Sequence, residues 1–209
     1  MNVTILGSGN MARGIGTRVL AGGHALTYFS DQPEQAAALA SSLGARSTPH
    51  LDEVLAADVI VLATPYAASL ALARELGPRL VGKVVVDISN PLNASYDGLV
   101  TEPNASAAEE IATAAPGARV VKAFNTTFAG TLVAGEVRSQ ALDVFLAGDD
   151  AEAKTVVTRL VEDGGLVAID AGPLHRARQL EALGLLGITL QFSLGTGFGT
   201  GWKLVRPTA

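Results

Sequence analysis

Along the 209 residues, short runs of aliphatic and β-branched residues alternate with Ala- and Leu-rich stretches whose apolar positions recur at helical spacing. The runs predict strands at 2–6, 25–29, 58–63, 83–88, 118–124, 142–147 and 166–170, with a short one near 45–47. The stretches between them predict helices near 9–22, 33–43, 50–56, 66–76, 105–115, 128–134, 150–163 and 173–194. Runs such as Val59-Ile60-Val61-Leu62 show no polar alternation, which fits strands covered on both faces. Strands and helices alternating in this way imply βαβ units with right-handed crossovers. The expected fold is α/β: a doubly wound, mainly parallel sheet with helices on both faces.

Composition adds mostly exclusions. The chain is 48% hydrophobic and 17% charged, with a mean hydropathy of +0.34, a balance that a fully covered sheet accounts for. No apolar run reaches the roughly 18 residues of a membrane span. Met1-Asn2-Val3-Thr4-Ile5 enters a strand without a charged leader, so neither a signal peptide nor a membrane partner is expected. With no cysteine, disulfides are excluded and a cytoplasmic location is the expectation. A net charge of −5 argues against a nucleic-acid partner, and three scattered histidines give no metal-ligand spacing.

The chemistry begins at "ILGSGNMARGIG", residues 5–16. Gly7-Ser8-Gly9-Asn10-Met11-Ala12 fits G-x-G-x-x-G/A, after a strand and at the opening of a helix. Gly7 permits the tight turn, and Gly9 lets a pyrophosphate approach the backbone. Ala12, Gly14 and Gly16 keep the helix close to the sheet. Free backbone N–H groups and the helix dipole favour a diphosphate there. No G-K-[ST] follows, which argues against a P-loop. Residues 1–172 are thus expected to form a Rossmann dinucleotide-binding domain. Residues 173–209 are expected to add a helix and a Gly-rich tail, packed on the same domain or on a partner subunit.

At the end of the second strand, Ser30-Asp31 stands where an acid binds the adenosine ribose of NAD and a cation favours the 2′-phosphate of NADP. Asp31, next but one to Pro33, could instead cap the helix that starts there.

"ATPY" at 63–66, "DISNPLN" at 87–93, "KAFNTTFAGTL" at 122–132 and "AGPLHRARQLEALG" at 171–184 complete a set with the first turn. With them the chain resembles the F420-dependent NADP oxidoreductase family of small dinucleotide-binding reductases. The resemblance implies hydride transfer between NADP(H), or NAD(H), and coenzyme F420 or a flavin. It implies nucleotide contacts at Gly7, Ser8, Gly9, Asn10, Met11, Ser30, Asp31, Ala63, Thr64, Pro65 and Asn90, and along 124–127, which holds Phe124 and Asn125. It implies an acceptor pocket at Thr127, Pro173 and Leu174, with Asn125, Thr127 and Leu174 nearest the transfer. Asp31 and Gln35 stand where F420-linked members carry Arg and Lys. Asn125 stands in place of a His, and Thr127 in place of an apolar residue.

Other candidates have two readings each. The amides of Asn90 and Asn125 could orient a carboxamide or an acceptor carbonyl, or could finish their strands. His175 could supply a proton or be a first-turn surface residue, and Lys122 could be catalytic or structural. His24 and His50 read as loop or cap residues. Arg178 and Glu181, spaced i,i+3, could pair with each other or bind a substrate carboxylate. The last helix, apolar nearly all round, should be buried in the domain or in a homodimer. "GTGFGTGWKL" at 195–204 follows a helix, so it reads as a tail that packs Phe198 and Trp202 rather than as a phosphate turn. Only 37 residues follow Gly172, too few for the helical domain that hydroxyacid dehydrogenases and pyrroline-carboxylate reductases add. An open, planar acceptor site is the expectation. The alternatives are a quinone, free flavin or ferric chelate as acceptor, or a non-catalytic NADP(H) sensor.

Overall fold

A computed structural model describes residues 1–207. The strands are β1 (Asn2–Leu6), β2 (Ala25–Phe29), β3 (Arg46–Ser47), β4 (Val59–Leu62), β5 (Val84–Asp87), β6 (Arg119–Lys122), β7 (Glu136–Val137), β8 (Gln140–Ala141), β9 (Asp143–Gly148) and β10 (Val167–Asp170). The helices are α1 (Asn10–Ala21), α2 (Pro33–Leu43), α3 (Leu51–Val54), α4 (Tyr66–Leu76), α5 (Ala107–Ala114), α6 (Ala129–Ala134), α7 (Ala151–Asp163) and α8 (Ala177–Leu194).

Eight strands form one sheet in the order β10-β9-β6-β5-β4-β1-β2-β3. Every pairing in it is parallel except β6 with β9. The alternation of side chains along the central strands splits the core in two. Val59, Val61, Val84 and Val86 join α1, α2 and α7 on one face. Ile60, Leu62 and Val85 join α4, α5 and the start of α8 on the other. Each fully buried aliphatic side chain contributes about 1.5–3 kcal/mol, so both faces of β4 and β5 are strongly specified.

The sequence pattern misses one element. β7 and β8 form a two-residue hairpin whose central residues, Arg138 and Ser139, sit at φ +50° and +61°. Asn-Gly or Asp-Gly normally signals such a turn, and Arg-Ser carries no such signal. The polypeptide then enters β9 antiparallel to β6, which gives the mainly parallel sheet its mixed edge.

After α8 the tail folds back on the same chain. Lys203 and the backbone N–H of Leu204 bond the two carboxylate oxygens of Asp143, at 2.6 and 2.7 Å. Gly187 leaves room for the Trp202 indole, which a Cβ there would meet at 3.1 Å. Of the tail expected at 173–209, residues 208–209 lie outside the described residues.

Candidate functional site

The ends of β1, β4, β5 and β6 lie side by side at one edge of the sheet, as they must in a parallel array. An open cavity of about 820 Å³ runs along that edge, within the roughly 300–1,000 Å³ typical of small-molecule sites. Gly9, Asn10 and Met11 line one end, and Ala63, Thr64 and Pro65 follow from the turn after β4. Asn90, Asn125 and Thr127 form the floor.

The glycine turn is made for a close approach from outside. Gly7 has φ +126°, and a Cβ there would stand 2.3 Å from the Ala63 carbonyl oxygen. Gly9 has ordinary backbone angles and nothing of the protein within 4 Å of where its Cβ would be. No internal contact accounts for a glycine at that position. As N-cap of α1 it offers no side chain to the first-turn N–H groups, and that turn holds no acidic residue. Uncapped N–H groups beside open space form a ready anion site. Gly16 backs onto the Tyr28 hydroxyl of β2, as expected, but Gly14 faces α6 at Ala129 and Leu132 rather than the sheet.

Beside the turn, Ser8 Oγ stands 3.4 Å from Ser30 Oγ, which donates to Asp31 Oδ1 at 3.1 Å. Asp31 does not cap α2. Its N-cap is Gln32, without a side-chain cap, and the Gln32 N–H donates to Ser30 Oγ. Asp31 is left exposed, free to meet a ligand hydroxyl.

The floor is an amide clamp. Asn125 Nδ2 donates to Asn90 Oδ1 at 2.9 Å and to the Leu180 carbonyl at 2.8 Å, while Asn90 Nδ2 donates to the Asn125 carbonyl at 2.8 Å. Gly184 of α8 makes this possible, since a Cβ there would stand 2.4 Å from Asn90 Oδ1. Phe124, at φ +62°, turns the chain from β6 into the clamp. Its side chain is buried in the core, and its carbonyl accepts from the N–H and hydroxyl of Thr127.

Under the clamp lies a buried ionic group. Lys122 Nζ, fully buried, bonds Asp87 Oδ2 and Glu181 Oε1, both at 2.7 Å, and the Ser89 carbonyl. Glu181 also accepts the Ala107 N–H at the start of α5, at 3.0 Å. Burial pushes the Glu181 carboxyl above its ordinary pKa, against the pull of Lys122. Lys122 is therefore sealed from the cavity and fits the structural alternative. Arg178 and Glu181 do not pair with each other. Arg178 grips Glu109 of α5 through Nε and Nη2 at 2.8 and 2.6 Å, which holds the Glu109 carboxyl below its usual range.

The far half of the cavity is aromatic. Phe198 packs edge-on to Phe128 and to Phe192, with ring centroids 5.3 and 5.6 Å apart, and Phe192 meets Tyr96 in the same way at 6.1 Å. Tyr66 lines the opposite wall, its hydroxyl donating to Glu110. Burial and that bond push it up to about 12.

Not every expected site residue meets here. Leu174 is buried in the α4–α5 face of the core, Pro173 is exposed outside the cavity, and His175 is exposed beside it in sequence. The Leu174 N–H is occupied by Asp149. Aromatic residues, and not the 173–174 turn, line this half of the cavity. Its members come from four separate segments, and no local pattern could have assembled them. His50 takes the N-cap position of α3, and His24 is held between the Met1 amine and Asp163. α8 is only partly buried: Leu186, Phe192 and Leu194 are 49–66% exposed. Among the described residues no helix is long and apolar enough to cross a membrane, and no cluster of potential metal ligands forms.

The model of the NADP oxidoreductase, coenzyme F420-dependent family matches residues 2–91. The F420-dependent NADP reductase of Methanocaldococcus jannaschii is 33% identical over 148 residues, 67% of this chain and 66% of that protein. Metalloreductase STEAP3 of the rat is 35% identical over 88% of this chain, which spans only 36% of the rat protein's length. The solved structure of an Arthrobacter sp. FB24 protein, assigned as an F420-dependent NADP reductase, superposes with a TM-score of 0.85. It is 30% identical, with 98% of this chain and 99% of that one covered. Fold, glycine turn and end-to-end similarity agree: the chain belongs to the F420-dependent NADP oxidoreductase family.

Proposed function

We propose that the chain moves hydride between a nicotinamide dinucleotide and a planar acceptor of the F420 or flavin type. The observation that carries this reading is a single cavity leading from an uncapped glycine turn, across an amide floor, to an aromatic wall. The turn at Gly7–Met11 and the segment Ala63–Pro65 would hold the diphosphate and its ribose. Asn90 and Asn125 would set the depth of the nicotinamide, and Thr127 would sit where the two rings meet. The dinucleotide supplies the two electrons and the hydrogen nucleus that travel together, and the acceptor's second proton comes from solvent. The protein's task is then placement of the nicotinamide C4 and the acceptor's central-ring atom, a carbon in a deazaflavin and a nitrogen in a flavin, at near-attack distance. Of the groups around the cavity, Tyr66 keeps its proton through the neutral range.

Family membership brings NADP(H) with it, while one observation favours NADH. The exposed Asp31 carboxylate and the Ser30 hydroxyl offer hydrogen-bond acceptors to a ribose hydroxyl, and the carboxylate would repel a 2′-phosphate. The similarity to metalloreductases makes a ferric chelate the competing acceptor.

The test is to titrate NADPH and NADH by fluorescence, then follow oxidation of each with F420, FMN, a quinone and a ferric chelate. Turnover with F420 or FMN is expected, and binding of neither nucleotide overturns the reading. Tight binding without turnover of any acceptor makes the chain a sensor instead. NADH bound about tenfold more tightly than NADPH, and a reversal of that order by Asp31→Arg, would identify Asp31 as the selecting residue. Equal affinities would remove it from that role.

A further inference from the structure

Two buried polar atoms in the floor have no partner. Asn125 Oδ1 and Ser89 Oγ are each out of contact with solvent and make no hydrogen bond in the protein. Both residues line the cavity. A buried polar group left unpaired costs more than a hydrogen bond usually returns, so such atoms need an explanation. The amide of Asn125 cannot escape by turning over, because a flip would set its oxygen against the Leu180 carbonyl that now receives its N–H. The Ser89 backbone is fixed as well: its N–H donates to Asp87 Oδ1 at 3.0 Å and its carbonyl receives Lys122 Nζ. The ionic group beneath the floor therefore holds the Ser89 backbone from both sides.

Asn125 Oδ1 can only accept, and the Ser89 hydroxyl can donate. Together they match a ligand group that presents an N–H beside a carbonyl oxygen. They stand at the ends of neighbouring strands β5 and β6, two to three strand spacings from the glycine turn, about 10–14 Å. This suits the far end of a dinucleotide whose diphosphate occupies that turn. We infer that Ser89 Oγ and Asn125 Oδ1 bind the carboxamide of the nicotinamide, Ser89 donating to its oxygen and Asn125 accepting from its nitrogen. The inference rests on the nucleotide reading above and adds Ser89 as a positioning contact, with Lys122 and Asp87 acting through it.

The test compares wild type and Ser89→Ala by calorimetric titration with NADH, or NADPH where that binds better, and with the matching ADP-ribose, which lacks the nicotinamide ring. Ser89→Ala removes an unpaired hydroxyl, so the thermal midpoint should hold or rise. Affinity for the dinucleotide should fall about three- to tenfold, the worth of one neutral hydrogen bond, while ADP-ribose binding stays unchanged. In wild type, a dinucleotide carrying an acetyl group in place of the carboxamide loses the N–H for Asn125 and should bind more weakly by a similar factor. Equal losses for dinucleotide and ADP-ribose would make the role of Ser89 structural and overturn the inference. An unchanged dinucleotide affinity would overturn it too, with the nucleotide reading intact. Failure of wild type to bind any of these ligands would remove both.

Discussion

The two ends of the cavity are built in opposite ways. The glycine turn is contiguous: six residues, Gly7–Ala12, hold every feature of the proposed diphosphate site. The amide floor is assembled from Ser89 and Asn90 after β5, Asn125 after β6, and Leu180 and Gly184 on α8, with Lys122, Asp87 and Glu181 beneath it. Gly9 at one end and Gly184 at the other look alike in the sequence, yet their reasons differ. Around Gly9 nothing of the protein is near, so its missing side chain leaves room for a ligand. Around Gly184 the protein itself fills the space. The turn thus faces open space on an ordinary fold, whereas the floor is part of what folds.

The hardest blow to the floor is Lys122→Met. It leaves Asp87 and Glu181 as two buried carboxylates without their cation, and about 3–5 kcal/mol should be lost in equilibrium urea unfolding. A loss under about 1 kcal/mol would mean that the floor does not depend on its ion pair.

Gly184→Ala comes next. The new methyl meets Asn90 Oδ1, and the clash of about 1–3 kcal/mol should outweigh the gain of roughly 1 kcal/mol in helix propensity. Stability and dinucleotide affinity should therefore fall together. Gly9→Ala should separate them. With φ −81° and empty surroundings the fold tolerates alanine, so the melting temperature should stay level while affinity for ADP-ribose drops about tenfold, or 1.4 kcal/mol. If Gly9→Ala destabilised as much as Gly184→Ala, the contrast between the two ends would collapse.

The smallest effect lies at the α5–α8 contact. The Arg178 guanidinium holds the Glu109 carboxyl below its ordinary 4.5. The folded state then binds the proton less readily than the unfolded one. The stability this contact contributes is present above pH 4.5 and is lost as pH falls through the lower folded value. Glu109→Gln should flatten that part of the stability–pH curve, measured by urea midpoints between pH 3 and 6.

What could be read in the chain follows the same division. All eight sheet strands and all eight helices lie within a few residues of their expected places, because apolar period and glycine punctuation are local signals. The β7–β8 hairpin escaped because Arg138-Ser139 enters the left-handed region without glycine. Asn90 and Asn125 stood out as strand-end amides, but their bonding to each other did not, since it spans 35 residues. Ser89 carried no signal at all, because an unpaired hydroxyl is defined by everything around it. The 173–174 turn was expected in the acceptor pocket, but packing buries Leu174 in the core.

By itself, the sequence determined the α/β alternation, the glycine turn and the place of an acid just after β2, all set by backbone conformation and side-chain period over a few residues. Tertiary structure alone decided which strand ends adjoin, which carboxylates close on Lys122, which aromatic residues wall the cavity and which polar atoms are left unpaired. The physical reason is that burial and pairing are properties of a place in space, and each of these places is shared by segments far apart along the chain.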